Sequence, residues 1–243
     1  MRNGRRVLMI GAIGIAGCSS ATATETCSSG TELPGGNCLL FEDGGALATQ
    51  RTVIDATVND AVTRVNEAMP ISGVTIRIRA NPGGAIPEFG LGGYAPSGRE
   101  VFLSFDPAAP VLDRSLRDEL GPLVAHELHH VRRWQTVGYG STLRAAMVSE
   151  GLADHFSIEV FGIERPMWSA ALDSAGIEVM LDRAEPTWDG AYDNSTRFFG
   201  TTAAVPRWTG YALGLELVDR YLERDSSRRP SALYGEDPRA FTR

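Results

Sequence analysis

The 243-residue chain contains no lysine: all 23 of its basic residues are arginine. Schiff-base chemistry and phosphate-loop lysines are therefore excluded as mechanisms. Positive charge is also in deficit, since 30 acidic residues set the formal net charge at −7. A nucleic-acid footprint would have to be built against that field, so no nucleic-acid partner is expected. Long hydrophobic runs are missing too. The longest N-terminal run, Val7 to Ala16, is ten residues, about half of the roughly 20 needed to span a bilayer. Only three cysteines and four histidines occur, so any cysteine or histidine chemistry is confined to a few positions.

What is present begins with an address. Arg2, Arg5 and Arg6 precede the apolar run, and Ile15-Ala16-Gly17-Cys18 closes it with small residues before a cysteine. This is the pattern of a secretory signal, and its last four residues resemble the bacterial lipobox. That resemblance implies cleavage after residue 17 and diacylglycerol on Cys18, which gives a lipid-anchored envelope protein facing the periplasm or exterior. An ordinary signal peptide with Cys18 as bystander is the alternative, and Arg5-Arg6 also allows twin-arginine export. Removal of the three arginines takes the net charge from −7 to −10. Cys27 and Cys38 remain as an even pair in an oxidising compartment, where a disulfide is plausible. Their Ser, Thr, Gly and Pro surroundings make 18–44 a tether, with 45–243 as one domain.

Within that domain Ile54, Val58, Val62, Val65 and Met69 recur at helical steps and end before Pro70. Val74, Ile76 and Ile78 alternate with polar residues as a half-buried strand, and 101–105 reads as a second. The glycine-rich stretch 90–94 between them reads as a loop or an irregular edge. After about residue 112 the period becomes 3.6. Helices are expected at 122–137, from an N-cap at Ser141 to Gly162, at 167–172, at 177–184 and at 208–222. The expected fold is α+β: a small mixed sheet early in the chain, packed on one central helix and followed by a helical second half.

One helix carries His126-Glu127-Leu128-His129-His130. Positions i and i+4 are separated by about 40° and 6 Å, so His126 and His130 project side by side and can hold one zinc ion. Glu127 lies on the same wall, where a carboxylate can take a proton from water. A third ligand is required. Arg133 and Thr136 occupy the places where His-Glu-x-x-His-x-x-Gly-x-x-His would need Gly and His. The next helix instead offers Glu150, twenty residues after His130 across the Gly138-Tyr139-Gly140 turn, with Asp154 one turn further on. Asp154 is suited to accept the free N–H of a ligand histidine. His129 is expected behind the ligands or in the cleft.

His126-Glu127-x-x-His130 followed by Glu150-x-x-x-Asp154 resembles the gluzincin class of zinc metallopeptidases, which have a thermolysin-like ligand set. Ser149-Glu150-Gly151-Leu152-Ala153-Asp154 after His-Glu-Leu-His-His is most similar to an uncharacterised bacterial family of predicted zinc-dependent proteases. Gly92-Gly93-Tyr94 before Phe105-Asp106-Pro107, and Trp208-Thr-Gly-Tyr211-Ala-Leu-Gly214, extend that likeness over about residues 90 to 220. The resemblance implies a zincin-like domain hydrolysing peptide or protein substrates. His126, His130 and Glu150 would be zinc ligands and Glu127 the general base. Such sites add a donor at the oxyanion, and all four histidines lie in the two motif helices. Tyr211 is the first candidate and Arg207 the second, although periodicity alone makes Tyr211 and Trp208 core aromatics. A non-catalytic zinc lipoprotein that binds a partner, and a zinc hydrolase of a non-peptide amide bond, are the alternatives.

Overall fold

Leu39, Ile76, Val101, Ile78 and Leu103 are all shielded from water because neighbouring strands set them side by side on one sheet face. The computed structural model describes residues 27, 29–200, 202 and 204–243. Its sheet has five strands: β1 (Thr31–Leu33), β2 (Asn37–Phe41), β3 (Thr75–Ala80), β4 (Leu91–Ser97) and β5 (Glu100–Phe105), in the order β1-β2-β3-β5-β4. The β2, β3 and β5 strands run parallel, with Leu39 opposite Ile76 and Ile76 opposite Val101. The outer strands β1 and β4 are antiparallel to their neighbours. Helix α1 (Arg51–Ala68) crosses from β2 to β3 and buries Ile54, Val58, Val62 and Val65.

The N-terminal boundary differs from expectation. Residues 31–41, assigned to the tether, are two strands of the sheet, and a Cys27–Cys38 disulfide with Cα atoms 5.5 Å apart fastens the preceding segment to β2. The Pro34-Gly35-Gly36 reversal, with Gly35 and Gly36 at φ 77° and 72°, has the same composition as a flexible linker. What makes β2 a strand is its pairing with β3, which lies far along the sequence. The glycine-rich 91–97 stretch is an edge strand whose register shifts between Tyr94 and Ser97.

Six helices follow: α2 (Leu112–Asp118), α3 (Leu120–Trp134), α4 (Leu143–Phe161), α5 (Ser174–Ala184), α6 (Asn194–Phe199) and α7 (Thr209–Glu223). The arrangement is the expected α+β one. Helix α3 starts two residues before Pro122, which sits in its first turn. Thr142, not Ser141, caps α4 by accepting from the Ala145 amide at 3.2 Å, and Gly162 ends that helix at φ 63°. Residues 167–172 are turns, not a helix. Trp168 and Ser169 both donate to Asp154, a convergence of adjacent side chains that a helix, rotating ~100° per residue, would prevent. One apolar core joins the sheet, α1 and α3, and a second joins α4, α5 and α7. The seam between α3 and α4 therefore has a core on either side. No helix among the described residues is long and apolar enough to cross a membrane.

Candidate metal centre

Helices α3 and α4 face each other across the Gly138-Tyr139-Gly140 turn, where both glycines have positive φ, 80° and 98°. This brings three donor atoms together. His130 Nε2 lies 2.9 Å from His126 Nε2, and Glu150 Oε2 lies 3.1 Å from His126 Nε2 and 3.3 Å from His130 Nε2. All three residues are buried. Zinc bonds of about 2.0–2.1 Å in a tetrahedron would set neighbouring donors about 3.3 Å apart. The separations, and the pairing of two imidazoles with one carboxylate, fit that ion.

Surrounding groups orient each donor. His126 Nδ1 donates to Asp154 Oδ1 at 2.8 Å, which turns Nε2 toward the cluster. Asp154 is fully buried and also accepts from Trp168 Nε1, at 3.1 and 3.2 Å, and from the Ser169 hydroxyl. The Tyr139 hydroxyl donates to Glu150 Oε1, so Glu150 directs its other oxygen at the histidines. Tyr139 packs its ring 5.3 Å from that of His130 and stacks on Trp134. Its carbonyl accepts from the Ser149 hydroxyl at 2.8 Å, which in turn accepts from Arg133 Nε at 3.0 Å. Burial draws the Arg133 guanidinium down to about 10.

The charges are strongly coupled. Burial opposes the His126 imidazolium, but hydrogen bonds to Asp154 and Glu150 outweigh it and raise its pKa well above the ordinary histidine value. Burial likewise opposes ionisation of Glu150, yet the two histidines hold its carboxyl well below the usual range. Two carboxylates on these imidazoles, with a third beside them, make a site whose excess negative charge a divalent cation would balance.

That third carboxylate is Glu127. It is 5% exposed, and its Oε2 has no hydrogen-bond partner. Burial raises its pKa against the pull of His126 and His130. It lies against β4, where a Cβ on Gly93 would come within 2.4 Å of Glu127 Oε1, so a larger residue there would push the Glu127 side chain from its place.

The remaining sequence candidates separate. Tyr211 lines a small cavity with Gly93, Leu123, His126, Trp168, Phe199 and Trp208. Trp208 adopts a left-handed φ of 66° at the start of α7. Arg207 is engaged elsewhere, in a salt bridge to Glu88 at 2.5 Å and over the Trp208 ring. His129 is buried with its ring 5.4 Å from that of Phe156 and is not among the clustered donors. At i+3 from His126 and adjacent to His130, it takes the core-facing side of α3. Cys18 lies outside the described residues.

Sequence reasoning missed Tyr139, Trp168 and Ser169. Tyr139 had one available signal: an aromatic between two glycines in a short turn linking the motif helices. Trp168 and Ser169 come from a loop with no helical or strand pattern to place them.

No curated protein and no solved structure matches the chain. The family model described as "Predicted Zn-dependent protease (DUF2268)" matches residues 54–242, a span that includes His126, Glu127, His130, Glu150 and Asp154, and the chain belongs to that family.

Proposed function

We propose that the protein is a zinc-dependent peptidase of the bacterial envelope, with zinc held by His126, His130 and Glu150. The observation that carries the proposal is a buried three-donor cluster beside a buried carboxylate, Glu127, with an oxygen left unpartnered. A purely structural metal would gain nothing from that neighbour. Bound zinc would supply Lewis acidity, acidifying water and polarising the scissile carbonyl. Glu127 takes a proton from the attacking water and passes it to the leaving amine. Its raised pKa brings its proton affinity closer to neutrality, where a carboxylate can both accept and return a proton. Tyr211 keeps its proton, because burial and the Glu150, Asp154 and Glu127 carboxylates push its pKa well above the ordinary value. It is then a donor for negative charge developing on the carbonyl oxygen. Asp154 fixes the His126 tautomer, and Tyr139 fixes the carboxylate of Glu150.

Lipid on Cys18 would hold this site close to a membrane. The nine steps from Cys18 to the disulfide-bonded Cys27 reach at most about 32 Å. Detergent-phase partitioning that survives Cys18→Ser would exclude the anchor.

The decisive experiment pairs zinc analysis with hydrolysis of a mixed peptide library. One equivalent of zinc and cleavage are expected, and Glu127→Gln should retain the zinc while losing activity by roughly 10²–10⁴-fold. Failure to bind stoichiometric metal under zinc-replete conditions, or cleavage that persists in Glu127→Gln, refutes the reading.

A further inference from the structure

A second cavity, of about 220 Å³, opens beside the metal cluster. It runs along α3 from His126 past Leu123 and Pro122 to Glu119 at the helix start, seven residue steps or about 10 Å. Phe89, Pro166, Met167 and Trp168 form its other walls. Met167, 49% exposed, and Trp168 continue this apolar surface toward solvent. Trp168 also lines the smaller cavity that holds Tyr211, so it separates the two spaces and both meet at His126.

The end remote from His126 is acidic. Asp118 there is paired with Arg114 at 3.3 Å, and Arg165 with Asp219 at 2.8 Å. Glu119 and Glu164 also line the cavity, and no ion pair engages either among the described residues. Burial, followed by the Asp118 charge, raises the Glu119 carboxyl. An apolar trough that starts at a catalytic cluster and ends on unpaired carboxylates matches one kind of side chain.

We propose that this trough is the specificity subsite and that it takes the long cationic side chain of an arginine or lysine next to the cleaved bond. The inference rests on the peptidase reading. The aliphatic stem lies along Pro122 and Leu123, and the charged head reaches Glu119. A purely aliphatic side chain would desolvate Glu119 further with only the charge of Arg114, already paired to Asp118, to offset it, and an acidic one would meet like charge. The net charge of −7 favours the approach of basic peptides.

The test uses the full chain loaded with zinc. Glu127→Gln protein is titrated with blocked peptides identical except for arginine or norleucine at one position, scanned along the peptide. Binding is read by calorimetry and by tryptophan fluorescence, to which Trp168 contributes. At one position arginine should bind about tenfold more tightly. Glu119→Gln combined with Glu164→Gln should erase that ratio, and Glu119→Arg should invert it toward glutamate. The same peptide pairs are then given to protein with Glu127 intact. Discrimination in binding without hydrolysis supports the trough and overturns the peptidase reading. Hydrolysis with no preference for arginine, or a preference that survives the Glu119 and Glu164 changes, overturns the trough. Neither binding nor hydrolysis overturns both.

Discussion

Gly214→Ala separates two explanations of the C-terminal motif with opposite signs. A Cβ at Gly214 would lie 2.1 Å from the Met147 carbonyl oxygen and 3.2 Å from the Gly151 amide nitrogen, and one at Gly151 would lie 2.1 Å from the Gly214 carbonyl oxygen. Helices α4 and α7 thus touch backbone to backbone. Restoring an ordinary C···O contact of about 3.3 Å requires about 1.2 Å of separation, and no side-chain rotamer can absorb it. Overpacking against rigid atoms costs about 3 kcal/mol, and the helix propensity of alanine returns about 1 kcal/mol. The net loss is about 2 kcal/mol, which for a domain of this size lowers Tm by about 4–8 °C. Met147 and Gly151 flank Glu150, so the displacement also moves a proposed metal ligand, and zinc affinity should fall with stability. Thermal unfolding followed by circular dichroism, run with a chelator and then at fixed zinc, reads both effects. If Gly214 had no close neighbour, alanine would raise Tm by a few degrees, and an unchanged or higher Tm refutes the packing argument.

Three further outcomes follow from the same geometry. Asp154→Asn removes the carboxylate that holds the His126 Nδ1 proton and should weaken zinc binding by roughly 10–100-fold, measured by competition with a chromogenic chelator; unchanged affinity would remove Asp154 from the site. Tyr139→Phe frees Glu150 Oε1, so the cobalt-substituted protein should show weaker visible absorption as Glu150 turns bidentate, and a spectrum identical to that of the unaltered protein would argue against the tyrosine's positioning role. Replacing Cys27 and Cys38 by serine opens a cross-link with a sequence separation of 11 and should cost about 3 kcal/mol in denaturant unfolding; a loss well under 1 kcal/mol would mean that the β1–β2 hairpin does not depend on it.

The parts of the site that could be read from the sequence are those whose geometry is local. His126 and His130 meet because a helix repeats, whatever surrounds it, and Glu150 and Asp154 share a face for the same reason. The short glycine-bracketed turn carries that local logic across to the neighbouring helix. Strands β3 and β5 are legible through the patterns at 74–79 and 101–105. Illegible features depend on partners distant in sequence. The β2 strand needs β3, Trp168 and Ser169 need Asp154, and the Tyr139 carbonyl is held by Ser149, itself bonded to Arg133. Glycines show the division most clearly. Gly93 lies in a stretch that reads as a loop or an irregular edge and Gly214 inside an expected helix, and neither pattern says why a glycine stands there. Each is the point where another element comes too close for a Cβ: the Glu127 side chain at Gly93 and the α4 backbone at Gly214. A helix can place two histidines on its own, but it cannot bury the neighbouring glutamate beside them. That requires β4 to approach without side-chain bulk, so the proposed catalytic base depends on a strand that contributes no reactive group.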